Sequence, residues 1–191
     1  MFNYPLNLSF KLIAFSPQVR VTDATGSLVL YVKQKALALK EDVKIFSDEA
    51  QQSQLYQLKA DKIIDFSARY TITTPDGATV GSVKRQGMKS LWKSTYAIQD
   101  GGGTEVGTIR EENPWIKVLD SLVSDIPFVS MFINPAYLVD LNGTTRLYMK
   151  KQPAFFEGKF TIEKRADFTE EEERLLLPSV IMMMMLERRR G

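Results

Sequence analysis

The sequence predicts a mainly β fold: a closed antiparallel barrel of about twelve strands around a central hydrophobic C-terminal helix, one domain over residues 1–191. Three observations predict it. Short segments rich in β-branched and aromatic residues recur along the chain, separated by turn residues at hairpin spacing. Residues 175–186 form an apolar run in which Ser179 is the one polar member, so a helix there has no solvent face. At twelve residues the run falls short of the ~20 needed to span a membrane, so protein must enclose it. Closure removes sheet edges, and a barrel of eleven or twelve strands is wide enough to hold a helix. A lipid-anchored tail is the other use to which such a run could be put.

The elements follow in order. A strand is expected over 6–13. After the turn residues Asp23 to Gly26, strands are expected over 27–33, 43–47 and 54–60, the last two alternating in part between apolar and polar residues. Residues 68–74 and 79–85 make a hairpin across Pro75, Asp76 and Gly77. Residues 92–98 and 105–110 make a second across Asp100 to Gly103, and 137–141 and 146–150 a third across Asn142-Gly143. A last strand is expected over 156–163. Ten to twelve strands at this spacing suit an antiparallel sandwich or barrel.

Two helices are expected. Asn113 caps the first, with Pro114 at its first helical position, and Trp115, Leu119, Leu122, Val123 and Ile126 share one face. The second spans about 170–188. Thr169 stands three residues before Glu172, a capping-box spacing, and Glu170 to Glu173 occupy the positive end of the helix dipole. Arg188, Arg189 and Arg190 occupy the negative end. Burying the ten Leu, Val, Ile and Met side chains of this helix supplies at most roughly 15–30 kcal/mol of transfer free energy. That exceeds the ~5–15 kcal/mol by which a whole domain is stable, so the segment cannot be left in water. The four consecutive methionines, 182–185, suit an irregular enclosed space, because the unbranched thioether adapts to gaps. Pro178 removes one helical hydrogen bond and is expected to bend or restart the helix.

Composition excludes several chemistries. The chain has no cysteine and no histidine. Disulfide frameworks, thiolate nucleophiles, Ser-His-Asp triads and His- or Cys-ligated metals are therefore absent. Charges of 25 basic and 23 acidic residues leave +2, which argues against a dedicated nucleic-acid binder and permits a local basic patch. The start of the chain lacks the basic-then-apolar order of a secretory signal, so a cytoplasmic chain, peripheral to membrane at most, is expected. No cofactor is signalled. Gly101 to Gly103 lack the phosphate-loop pattern and read as a hairpin tip.

Several short motifs carry a resemblance. They are Tyr31-Val-Lys-Gln-Lys35, Ala38-Leu-Lys-Glu-Asp42 and Asp65-Phe-Ser-Ala-Arg-Tyr-Thr71 before the Asp76-Gly77 turn. Gly81-Ser-Val-Lys-Arg85, Lys89-Ser-Leu-Trp-Lys93 and Phe160-Thr-Ile-Glu-Lys164 follow, ahead of the apolar helix. In this order the chain resembles the LURP-one-related proteins, in the tubby C-terminal-like superfamily that includes the phospholipid scramblases. The resemblance implies twelve strands around a central helix. It also implies a non-enzymatic binding or scaffold module, with anionic lipid or a membrane-associated protein as partner. The acidic calcium-binding segment expected of a scramblase has no counterpart here: Asp167 to Glu173 are acidic, but the capping pattern accounts for them. Scramblase-like lipid handling remains one alternative. A small-ligand protein or enzyme with a carboxylate and tyrosine pocket at a barrel end is another.

The candidate anionic-lipid site is Lys84, Arg85, Lys89 and Lys93 with Trp92 beside them, in a stretch with no acid from Val80 to Gln99. A solvated loop with Trp92 in the core is the plainer use of these residues. The apolar stretch 126–135, between two prolines, could meet a bilayer or partner, or cap the barrel. Carboxylates available for catalysis are Asp42, Asp61, Asp65, Glu111 and Glu112, and a glycosidase would need two of them to face each other.

Overall fold

A computed structural model gives the fold at residues 1–13, 16–33, 42–61, 68–86, 95–113, 135–153 and 158–187. The strands are β1 (Leu6–Ile13), β2 (Ser16–Thr22), β3 (Leu28–Lys33), β4 (Asp42–Phe46), β5 (Gln54–Ala60) and β6 (Arg69–Thr73). They continue as β7 (Thr79–Arg85), β8 (Thr95–Asp100), β9 (Glu105–Glu111), β10 (Ala136–Leu141), β11 (Thr144–Gln152) and β12 (Gly158–Lys164), before helix α1 (Glu170–Glu187). Each strand pairs antiparallel with its neighbours in the chain, and β12 returns to pair with β1, which closes the barrel.

The strand the sequence did not announce is β2. Pro17 and a single short Val-Arg-Val alternation hide it, yet Val19 and Val21 face the lumen between partners on β1 and β3. Pro17 stands near the start of the strand, where a missing N–H is tolerated. The expected helix after Asn113 and the apolar stretch 126–134 lie outside the described residues.

Turn chemistry sets one end of the barrel. Three hairpin loops repeat one geometry. In each, the glycine N–H bonds back to the carbonyl three residues earlier: Gly26 to Asp23, Gly77 to Thr74 and Gly103 to Asp100. These glycines sit at φ of 85°, 88° and 84°, the left-handed position that closes a three-residue loop. Asn142 and Gly143, at φ of 51° and 74°, form the two-residue turn between β10 and β11. Because strands alternate in direction, these turns gather at one end, hereafter the turn end. The links β1–β2, β3–β4, β5–β6, β7–β8, β9–β10 and β11–β12 belong to the opposite, far end.

Helix α1 enters at the turn end. Its capping box is reciprocal: Glu172 N–H donates to Thr169 Oγ1 at 3.1 Å, and Thr169 N–H donates to Glu172 Oε2 at 2.8 Å. Buried Glu173 accepts the Phe2 N–H at the same end. Every residue from Leu175 to Met185 is buried, on all faces of the helix. They pack against inward side chains such as Leu8, Leu58, Ile72, Val83, Ile109 and Met149. The helix therefore occupies the lumen.

Of the two outcomes expected at Pro178, a restart does not occur: the helix runs through as one element. Enclosure is the reason. Contacts on every side outweigh the roughly 3 kcal/mol that an interior proline costs a helix. The hydroxyl of Ser179 bonds to the Leu175 carbonyl at 2.7 Å, which satisfies the one polar side chain of the run.

Candidate functional site

Charge is sorted between the two ends. Turn residues Asp23, Asp48, Asp76 and Asp100, together with Glu170 to Glu173 in the first turn of α1, make the turn end acidic. Their residue types are those that tight turns and helix starts favour. Asp100 Oδ1, for example, accepts the N–H groups of Gly102 and Thr104, both at 2.9 Å.

The far end is basic. Lys33 ends β3, Lys59 stands near the end of β5, Arg69 begins β6, and Lys84 and Arg85 end β7. Lys150 and Lys151 close β11 on the same end, and Lys159 opens β12. Three acidic residues there accept from neutral donors: Asp42 from the Gln57 amide at 2.8 Å, Asp61 from the Arg69 N–H at 2.9 Å, and Glu112 from the Tyr148 hydroxyl at 3.0 Å. Among the described residues, the lysines named above form no salt bridge.

The residues singled out from sequence divide. Lys84 and Arg85 are strand residues, and neighbours on a strand point to opposite faces. The register pairs Arg85 with Tyr96, on the lumen side, and Lys84 with Arg69, on the outer side. Lys89, Trp92 and Lys93 lie outside the described residues. Sequence reading missed Arg69. Fifteen residues separate it from Lys84, and only the strand register brings them face to face.

A tyrosine and carboxylate cluster lines the inner rim of the far end. The Tyr96 hydroxyl donates to Glu187 Oε1 at 2.6 Å and latches the end of α1 to β8. Tyr137 on β10 pairs in register with buried Glu111 on β9. Burial pushes the Tyr96 and Tyr137 hydroxyls far above the ordinary tyrosine range, and the nearby Glu187 charge adds to it. At the turn end, burial raises Tyr4 in the same way, with Glu173 beside it. These phenols stay protonated, and Tyr96 serves as a donor to Glu187, not as a base. Of the carboxylates proposed for catalysis, Asp42, Asp61, Glu111 and Glu112 sit on or beside three different strands in separate settings, and Asp65 lies outside the described residues.

The tyrosines set an alkaline limit. A hydroxyl whose folded pKa is raised stabilises the fold fully below its unfolded pKa, here the ordinary 10.0, and that stability is lost as pH rises above it. Loss of far-UV circular dichroism is therefore expected together with the ionisation of Tyr4, Tyr96 and Tyr137, above pH 10. Ultraviolet titration in which all seven tyrosines ionise near 10 with the dichroism intact would contradict this burial.

A shallow outer hollow over β9 to β11 is lined by Arg110, Asp140 and Thr145, but these satisfy one another at 2.9 and 2.5 Å. Among the described residues no group of three or more acidic side chains is placed to hold a metal ion. No described helix is long and apolar enough to cross a membrane.

Compared with known proteins, the chain matches the family model described as LURP-one-related over residues 28–129. No curated protein and no solved structure matches it.

Proposed function

The chain belongs to the LURP-one-related family, and from that premise we propose that it is a non-enzymatic binding and scaffold barrel whose far end rests on anionic phospholipid surfaces. The closed barrel is consistent with a binding or scaffold module. The observation that carries the lipid reading is the sorting of charge. Lysines with no salt-bridge partner among the described residues collect at the end where the strand ends are basic, while the acidic turns lie at the opposite end. A basic surface near an anionic leaflet gains about 1 kcal/mol per Lys or Arg. On this reading Lys89, Lys93 and Trp92, in the β7–β8 link, join Lys84 at the contact, with Trp92 suited to the headgroup layer. Arg85 has a different task, since it shares the inner face with Tyr96.

Co-sedimentation with vesicles tests this. The protein is expected to pellet with phosphatidylcholine vesicles containing phosphatidylserine and not with phosphatidylcholine alone. Binding should fall steeply between low and physiological salt, because screening shortens the reach of the field to about 8 Å. The triple variant Lys84→Glu, Lys89→Glu, Lys93→Glu should bind at least about a hundredfold more weakly. Failure of the natural chain to pellet with the acidic vesicles at low salt would end the proposal.

A further inference from the structure

We infer that Arg69 and Lys84 form a site for a phosphoryl group on the outer face of β6 and β7, beside the far end of the barrel. Three observations carry it. The two residues are direct partners in the antiparallel register. Arg69 turns its own N–H to Asp61 Oδ1 and its carbonyl to the Asp61 N–H, so its backbone serves the β5 side. Its pair with Lys84 is then the non-hydrogen-bonded kind, in which facing side chains come closest, with Cα atoms about 4.5 Å apart. Like charges directly opposite one another on a sheet repel, and neither residue has a carboxylate partner among the described residues.

The third observation concerns the guanidinium itself. Arg69 Nε is buried with no hydrogen-bond partner among the described residues. A buried unsatisfied donor in a native fold calls for a missing acceptor. Lys59 lies on the same face, between Thr71 of β6 and Asp42 of β4 in register. Asp61, the acid next to Arg69 among the described residues, turns its carboxylate to the Arg69 backbone rather than to the guanidinium. A planar fork plus a mobile ammonium is the donor set that fits a tetrahedral oxyanion: the fork takes two oxygens and the lysine neutralises the remaining charge. A phosphoryl group would remove the repulsion and fill the empty donor together.

This site deepens the lipid reading and rests on it for the source of the phosphoryl group. A lipid headgroup and free phosphate share the chemistry, so the experiment separates them. The Arg69 Nε–Hε resonance is followed by NMR in the full chain, first with inorganic phosphate at constant ionic strength, then with phosphatidic acid vesicles. In parallel, vesicle binding is measured for Arg69→Gln and Lys84→Gln, with Lys159→Gln, on another strand of the same end, as the control. The resonance is expected to shift with the phosphoryl probe. Arg69→Gln and Lys84→Gln should each weaken vesicle binding about tenfold or more, the loss of one charge-assisted contact, and Lys159→Gln by less.

The outcomes separate the two claims. A resonance that moves with inorganic phosphate but not with vesicles supports the site and removes the lipid source. Vesicle binding that Arg69→Gln and Lys84→Gln reduce no more than Lys159→Gln, with an unmoved resonance, overturns the site and leaves the lipid reading standing. The resonance is read in the natural chain, so a variant that folds poorly does not decide the matter.

Discussion

Met183→Ala should lower the melting temperature by roughly 4–20 °C, and Met183→Asp should leave the chain unfolded at room temperature. Met183 is fully buried in the lumen-filling helix. Truncating a buried methionine costs about 2–5 kcal/mol, because the lost transfer energy is joined by a cavity that the walls cannot collapse into. In a domain of this size each kcal/mol is worth about 2–4 °C. Aspartate at the same place brings a charge with no partner into the lumen. Its desolvation costs several kcal/mol, comparable with the ~5–15 kcal/mol that holds an ordinary domain together. Met183→Leu keeps volume and polarity and should cost less than about 1.5 kcal/mol. Thermal and urea unfolding followed by circular dichroism decides this. A Met183→Ala protein that melts where the natural one does would show that the helix is not enclosed.

Gly81→Ala is expected to destabilise the barrel at the upper end of, or beyond, the ~1–3 kcal/mol range of overpacking. Gly81 faces the lumen on β7, between Ile72 and Asp100 in register. An added Cβ would lie 2.5 Å from Leu175 Cδ1 and press on the Gln99 carbonyl oxygen. The first obstacle is a side chain of α1, the second is backbone held in the sheet. The double variant with Leu175→Ala should therefore recover part of the loss and not all of it, a coupling that a double-mutant cycle reads directly. Gly107 on β9 is a parallel case, since its Cβ would press on the Asp140 carbonyl oxygen, with Leu141 Cδ1 at 3.1 Å. If Gly81→Ala unfolds at the same denaturant concentration as the natural chain, the close approach of α1 to β7 is wrong.

The lumen and the rim differ in how far sequence pattern could read them. Asp76-Gly77 and Asn142-Gly143 announce hairpins because the left-handed conformation is a property of single residues. Thr169 and Glu172 announce the start of α1 for the same local reason. The run 175–186 announces enclosure, since no side of that helix tolerates water. β2 escaped because Pro17 and two valines are too weak a local signal; its place is decided by β1 and β3 on either side. The basic cluster was legible only in part. Lys84 and Arg85 read as one patch along the chain, yet the strand period sends them to opposite faces.

By itself the sequence determined the strand-and-turn alphabet, the buried helix and the exclusion of thiol and imidazole chemistry, because each depends on residue type or on spacing within a few positions. Only the tertiary structure decided that β12 returns to β1, that acidic turns and basic strand ends gather at opposite ends, and that Arg69 faces Lys84. The physical reason is that these depend on register. Backbone hydrogen bonding between distant segments fixes which side chains oppose one another, and a shift of one residue along a strand would exchange its inner and outer faces.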